Sequence, residues 1–235
     1  MISVVIPAFN EEKLLPQCLE ALATQTTKQH FEVIVVDNNS TDRTAEIARS
    51  YAKRLNLRLL LEKKRGRGAA RKRGFAEAKG DIVFSTDADA RVPPDWIERL
   101  LPYFKDRKVV GVSGPCLVND LVWWKNIVVN VTQPTMMHVY RLFMGHYWLA
   151  GFNFAIRKRV YLDSGGFDAR LHGLEDTELA MRVSQLGKIR CVPVKVTFSG
   201  RRFSGNFWLG IFEYVKAFVE YFHQGKGRAY IRNVR

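Results

Sequence analysis

The chain has only three cysteines, Cys18, Cys116 and Cys191, odd in number and widely spaced. They offer neither a disulfide framework nor a thiolate metal cluster, so a reducing compartment, the cytoplasm, is expected. No uninterrupted apolar run approaches the ~18 residues of a membrane-spanning helix. The opening Ile2-Ser3-Val4-Val5-Ile6 reaches Pro7 without a basic leader, so no secretory signal is expected. Five histidines are scattered, with no pair at helical metal-ligand spacing. Acidic residues are scarce too: 23 Asp and Glu stand against 37 Lys and Arg, a net +14. What the chain does have is hydrophobic residues, 47% of 235, enough to bury a sizeable core.

The positive excess is concentrated. Residues 53–79 hold eleven Lys/Arg against two Glu, and residues 182–235 repeat that balance, which leaves the remainder at −4. Two basic blocks on a near-neutral body favour a polyanionic partner: nucleic acid, nucleotide phosphates or an anionic membrane. Either block alone reads more simply as a solvated face. Nucleic acid is not expected, because the stretch from Lys63 to Arg71 has Phe75 as its one close aromatic and matches no RNA-recognition motif. The same stretch offers G-x-G without the third glycine of a dinucleotide fingerprint, and it follows the third strand instead of the first. A Rossmann dehydrogenase is excluded.

Short β-branched runs at residues 3–7, 32–37, 57–62 and 81–87 read as strands. Segments 12–23, 41–55 and 69–79 between them have helical periodicity, with Ser40 as N-cap of the second helix and Pro94 in the first turn of a fourth. Strands hydrophobic on both faces, alternating with helices, predict an α/β fold with a mostly parallel central sheet flanked by helices. Further on, 109–114 and 152–156 read as strands and 175–186 as a helix. Residues 207–223 read as an amphipathic helix with Glu213, Lys216 and Glu220 on it.

In such sheets ligands bind beyond the carboxyl ends of the strands. The first strand ends in Pro7-Ala8-Phe9-Asn10-Glu11, the second in Asp37-Asn38-Asn39-Ser40-Thr41-Asp42 and the fourth in Thr86-Asp87-Ala88-Asp89. Each alone could be a set of turn or cap residues. Three acidic strand ends on one edge are harder to explain as caps. Asp87-Ala88-Asp89 puts two carboxylates in an exposed turn, suited to a hard divalent cation that neutralises a phosphate leaving group.

Taken in order, these motifs, with Ala70-Arg71, Gly80-Asp81, Gly165-Gly166-Phe167-Asp168 and Glu175-Asp176, resemble the family 2 glycosyltransferases over residues 1–190. The resemblance implies the GT-A fold, an inverting transfer from a nucleotide-sugar donor, with UDP the expected carrier, and Mn²⁺ or Mg²⁺ as cofactor. Pro7, Ala8, Phe9, Asn10, Glu11, Asp37, Asn39, Arg71, Asp87 and Ala88 would bind the donor, with Asp37 reading the base. Asp87 and Asp89 would hold the metal, and Asp176 would be the general base. Gly151, Asn153, Glu175, His172 and Arg202 are candidates for contacts with the donor sugar or the acceptor. Two departures matter: the family often has Asp-Asp-Gly-Ser where this chain has Asp37-Asn38-Asn39-Ser40, and the Gln-x-x-Arg-Trp motif of processive members is missing. Arg201-Arg202-Phe203 lies near where that motif would fall.

The expected organisation is one domain over 1–235. It has a nucleotide-sugar half at 1–115, an acceptor half at 116–200, and an amphipathic helix with a basic tail at 201–235. Residues 121–154 are rich in Trp, Tyr, Phe and Met, which means core, an acceptor groove or a membrane face. The expected partners are a nucleotide sugar, a glycan or polyprenyl-linked acceptor and an anionic membrane surface, with the protein peripheral on the inner face. A sugar-nucleotide pyrophosphorylase would need a Gly-rich, Arg-containing loop after the first strand, which Pro7-Ala8-Phe9-Asn10 is not. A non-catalytic polyanion binder would leave Asp87, Asp89 and Asp176 without a role.

Overall fold

A computed structural model describes residues 1–171, 173–205 and 207–208. The strands are β1 (Ile2–Ala8), β2 (Phe31–Asp37), β3 (Leu57–Leu61), β4 (Ile82–Ser85), β5 (Ala90–Arg91), β6 (Val109–Ser113), β7 (Cys116–Leu117), β8 (Phe154–Arg157), β9 (Lys188–Cys191) and β10 (Val196–Phe198). The α-helices are α1 (Leu15–Ala23), α2 (Thr44–Ser50), α3 (Ala52–Leu55), α4 (Arg67–Glu77), α5 (Trp96–Leu100), α6 (Trp123–Met144), α7 (Lys158–Asp163), α8 (Glu175–Val183) and α9 (Arg201–Ser204).

Seven strands form one sheet in the order β3-β2-β1-β4-β8-β6-β9, parallel except where β8 runs against β4 and β6. Alternation along the strands sends side chains to two cores. Val4, Ile6, Val33 and Val35 face the layer that holds α1 and α5, and Val5, Ile34 and Val36 face the layer of α4 and α8. Gly74 lets α4 lie close on the sheet: a Cβ there would stand 3.0 Å from Val36 Cγ2 and nearer still to Val5.

A second sheet, β5-β10-β7, is small but decisive for position. It pairs Ala90 and Arg91, just past Asp89, with Phe198 and Thr197, so the chain entering α9 runs beside the fourth-strand turn. Sequence patterning missed it because strands of two and three residues carry no readable period.

The segment expected as one helix over 41–55 breaks at Tyr51 into α2 and α3. Ser40 is not its cap; its Oγ accepts from Asn10 N at 2.9 Å, and Asp42 Oδ1 accepts from Thr44 N at 3.0 Å. Residues 121–154 contain the largest departure, the 22-residue helix α6. Only Val129, Met137 and Tyr140 of it are buried, and apolar residues on its other faces blur the 3.6-residue period. Tyr147 is buried and Trp148 packs against the same core, so this end of the aromatic-rich stretch is core. Beyond Trp208, the helix expected over 207–223 lies outside the described residues. Among those described, no helix is long and apolar enough to cross a membrane.

Candidate active site

The carboxyl ends of β1, β2 and β4 meet at one edge and are tied to each other before any ligand arrives. Asn10 takes a left-handed φ of 54° and accepts from Thr41 N at 2.8 Å, which locks the first loop onto the second. Asp37 is buried and accepts from Ser40 N through Oδ1 at 3.0 Å. Asn38 explains why the family's frequent Asp is absent here. Its amide donates to Glu62 O at 2.9 Å and Lys64 O at 2.7 Å and accepts from Gly66 N at 2.8 Å. A carboxylate could accept there but not donate. Asn39, at φ 66°, is exposed on the same loop.

Two arginines organise the carboxylates. Arg71, one of the largest fully buried side chains, donates through Nη2 to Asp87 Oδ1 at 2.6 Å and through Nη1 to Glu175 Oε1. It therefore joins the fourth-strand turn to the first turn of α8 instead of lying open beside a nucleotide. Arg201 donates to both oxygens of Glu11, at 2.5 and 3.0 Å, and lies 2.7 Å from Asp89 Oδ2. Arg201, beside the candidate Arg202, is the arginine that pairs with Glu11 and Asp89 here. Glu11 and Arg201 are 190 positions apart, so only the fold could reveal the pair.

Asp176 is held at the start of α8, where Leu174 takes an unusual left-handed φ of 57° to turn the chain into the helix. Its Oδ2 accepts from Gly151 N at 2.8 Å and its Oδ1 from Thr177 N at 2.8 Å. Burial, then the neighbouring Glu175 carboxylate, raise its pKa against the pull of Arg71. For Asp89, burial and the Asp87 carboxylate push the pKa up to about 6, opposed by Arg201.

Several expected ligand contacts find a different role. Pro7, Ala8 and Ala88 have buried side chains, so they can offer a ligand only backbone. Phe9 is half-buried, with Arg65 6.0 Å over its ring. Asn153, expected at the sugar, is fully buried and spent on the fold: it accepts from Trp96 Nε1 and donates to Pro115 O and Val194 O. His172 lies outside the described residues. Gly151 acts through its backbone, with its N–H on Asp176 and its carbonyl accepting from Ser85 Oγ at 3.0 Å.

Gly151 also has no room to be anything else. A Cβ would stand 2.9 Å from Asp176 Oδ2 and press on the Arg71 guanidinium. Gly151→Ala is expected to displace the Asp176 carboxylate or the Arg71 guanidinium and to lower stability by about 1–3 kcal/mol, the usual cost of overpacking, read by thermal denaturation. An unchanged melting temperature would show that the site absorbs the methyl without strain.

With the geometry in place, comparison with known proteins decides the family. The sequence profile of glycosyl transferase family 2 matches residues 3–165. The chain belongs to this family. A probable glycosyltransferase, YdaM of Bacillus subtilis, is 30% identical over 227 residues, which is 88% of this chain and 52% of that protein. An undecaprenyl-phosphate 4-deoxy-4-formamido-L-arabinose transferase of Pseudomonas paraeruginosa is 38% identical over 142 residues, 56% of this chain and 41% of the relative. The chain thus spans about half the length of these relatives. Among solved structures, S. aureus TarS 1–349 with UDP gives a TM-score of 0.67 at 21% identity, covering 84% of this chain and 60% of that fragment. The mannosyltransferase PcManGT of Pyrobaculum calidifontis, with GDP-Man and Mn²⁺, gives 0.69 at 24% identity, covering 97% and 65%. The fold of this family 2 chain is GT-A.

Proposed function

We propose that the chain transfers a sugar, with inversion, from a UDP-linked donor to a hydroxyl of a polyprenyl-linked glycan at the cytoplasmic face of a membrane. One observation carries this reading: two arginines gather four carboxylates, Asp87 with Glu175 and Glu11 with Asp89, at the sheet edge where family 2 enzymes work. In this reading a single domain spans the chain, residues 1–115 hold the donor and residues 116–200 the acceptor. Asp37 keeps its second carboxylate oxygen for an N–H of the base. Phe9, Asn10 and Asn39 border the nucleotide. A bound UDP in TarS and an undecaprenyl-phosphate acceptor in the name of a relative support the two substrate classes.

The donor set fits a divalent cation. Asp89 is a nearly buried carboxylate beside Asp87 and Glu11, and Arg201 is the cation that now balances it. Among the described residues no group of three or more His, Cys, Asp or Glu forms a closed metal site. Mg²⁺ and Mn²⁺ sites that rely on substrate phosphates need only one or two carboxylates from the protein. Asp89 and Asp87 would hold the ion, and when bound it neutralises charge on the departing diphosphate.

The chain's own residues do the rest. Asp176 takes the proton of the acceptor hydroxyl, and its raised pKa makes the carboxylate a stronger base. The acceptor oxygen forms its bond to the anomeric carbon opposite the leaving group. The bond from that carbon to the diphosphate oxygen breaks, and the electron pair leaves with UDP. Arg71 fixes Glu175 and Asp87, so base and donor keep one spacing. Calorimetry with UDP and GDP, with and without Mn²⁺, tests the donor half. Metal-dependent binding of UDP above GDP is expected, and no nucleotide binding under either condition would overturn the reading.

A further inference from the structure

We infer that the outward ridge of α6 is the surface on which this protein docks to an anionic lipid bilayer. The inference rests on the membrane-linked acceptor proposed above only for its purpose; the surface itself is argued from the helix.

At ~100° per residue, the buried side chains of α6, Val129, Met137 and Tyr140, mark one face. Trp124, Val131 and Leu142 fall opposite them, with Ile127 and Phe143 on the flanks. Val131 is 60% exposed, Leu142 82% and Phe143 83%, while Trp124, 40% exposed, packs edge-on against Phe207. At the amino end Trp123 is 74% exposed, and Trp208, which packs on the Phe207 that touches Trp124, is 69% exposed. A helix of 22 residues is ~33 Å long, and these exposed apolar side chains recur along most of it, with exposed Thr135 and His138 between them on the same face.

Charge decides which partner fits. α6 carries Lys125 and Arg141 and no Asp or Glu, within a run from residue 121 to residue 162 that has neither acid. An interface with a protein of ordinary composition has no need to purge one sign of charge over so long a stretch. A negatively charged headgroup layer does, because each carboxylate near it is repelled and each basic residue attracted. Tryptophans at the end of an apolar ridge suit the boundary between acyl chains and headgroups. The ridge is also beside the site. Lys125 Nζ donates to the carbonyls of Phe203, Ser204 and Gly205, the end of α9, whose first residue is Arg201 at Glu11 and Asp89. A bilayer on α6 therefore lies one short helix from the donor edge.

The test uses the full 235-residue chain in flotation with two kinds of vesicle, phosphatidylcholine alone and phosphatidylcholine with phosphatidylglycerol. Binding is expected to the mixed vesicles, to weaken with salt, and to fall about tenfold or more in Ile127→Glu/Val131→Glu and in Leu142→Glu/Phe143→Glu. Circular dichroism and UDP calorimetry on the same variants separate docking from misfolding. If they float like wild type, and removal of 209–235 alone abolishes binding, the docking surface is not α6. A wild-type dimer in sedimentation that these variants convert to monomer, with vesicle binding unchanged, gives the ridge to a second copy. Loss of flotation with UDP binding intact bears on the surface alone; flotation without any nucleotide binding overturns the transferase reading and leaves the surface standing.

Discussion

Asp176→Asn is expected to lower turnover by ~10²-fold or more while UDP affinity stays near wild type. The amide keeps the shape of the carboxylate. Its oxygen can still accept from Gly151 N, at the cost of the local bond that Thr177 N gives the other carboxylate oxygen, and the Arg71 network does not include Asp176 as a direct partner. What is lost is the capacity to take a proton. Single-turnover assays separate this from a binding defect, since a base acts on the acceptor and not on the nucleotide. The same variant also reports the acceptor's chemistry. A hydroxyl must give up its proton on attack, whereas a phosphate, with a second pKa near 6, arrives mostly ionised at neutral pH. Near-normal turnover in a folded Asp176→Asn protein would therefore reject the hydroxyl acceptor and point to direct attack by a polyprenyl phosphate.

The pH profile carries a second sign. Because burial and Glu175 raise the pKa of Asp176, the base becomes active at higher pH than an ordinary carboxylate would, and the acidic limb of kcat is expected to move up accordingly. In Asp176→Asn that limb should vanish along with the rate.

The sequence made the donor edge legible because its elements are strong and local. Hydrophobic strands ending in Asn10-Glu11, Asp37-Asn38 and Asp87-Ala88-Asp89 are a pattern within short windows, and the sheet rule places their ends together. The same locality explains what was hidden. Arg71 was read as facing the nucleotide, but its partner Glu175 lies 104 positions away and pulls it into the interior. Asn153 stands in an aromatic-rich stretch that suggested a groove, yet a buried indole and two carbonyls consume its amide. Arg201 and Arg202 are indistinguishable as letters; the pair of Arg201 with Glu11, 190 positions away, exists only in the fold. α6 escaped because a helix with little buried face does not show the period that helices are read from.

Asp89→Asn is expected to weaken UDP binding in Mn²⁺ by ~10²-fold, a loss of the order seen when a metal's protein support is removed. In the presence of chelator the variant should bind UDP no more weakly than wild type, because without the ion Asp89 offers the diphosphate only repulsion. Protons compete for the same oxygens. With a pKa of about 6, the wild-type carboxylate is ionised at neutral pH, and metal-dependent affinity should fall as pH drops through that value. Stability should run the other way. A carboxylate whose pKa is raised by folding favours the native state while protonated, and that contribution is lost as pH rises from the unfolded value through about 6. Metal-free wild type at neutral pH therefore carries a small strain at Asp89 that Arg201 only partly relieves. Asp89→Asn removes that charge and leaves Arg201 its bidentate pair with Glu11, so the metal-free variant should melt no lower than wild type and somewhat higher at neutral pH. Thermal denaturation with and without Mn²⁺ and UDP reads both effects in one experiment. Equal protection of wild type and variant by the metal–nucleotide pair would remove Asp89 from the metal site.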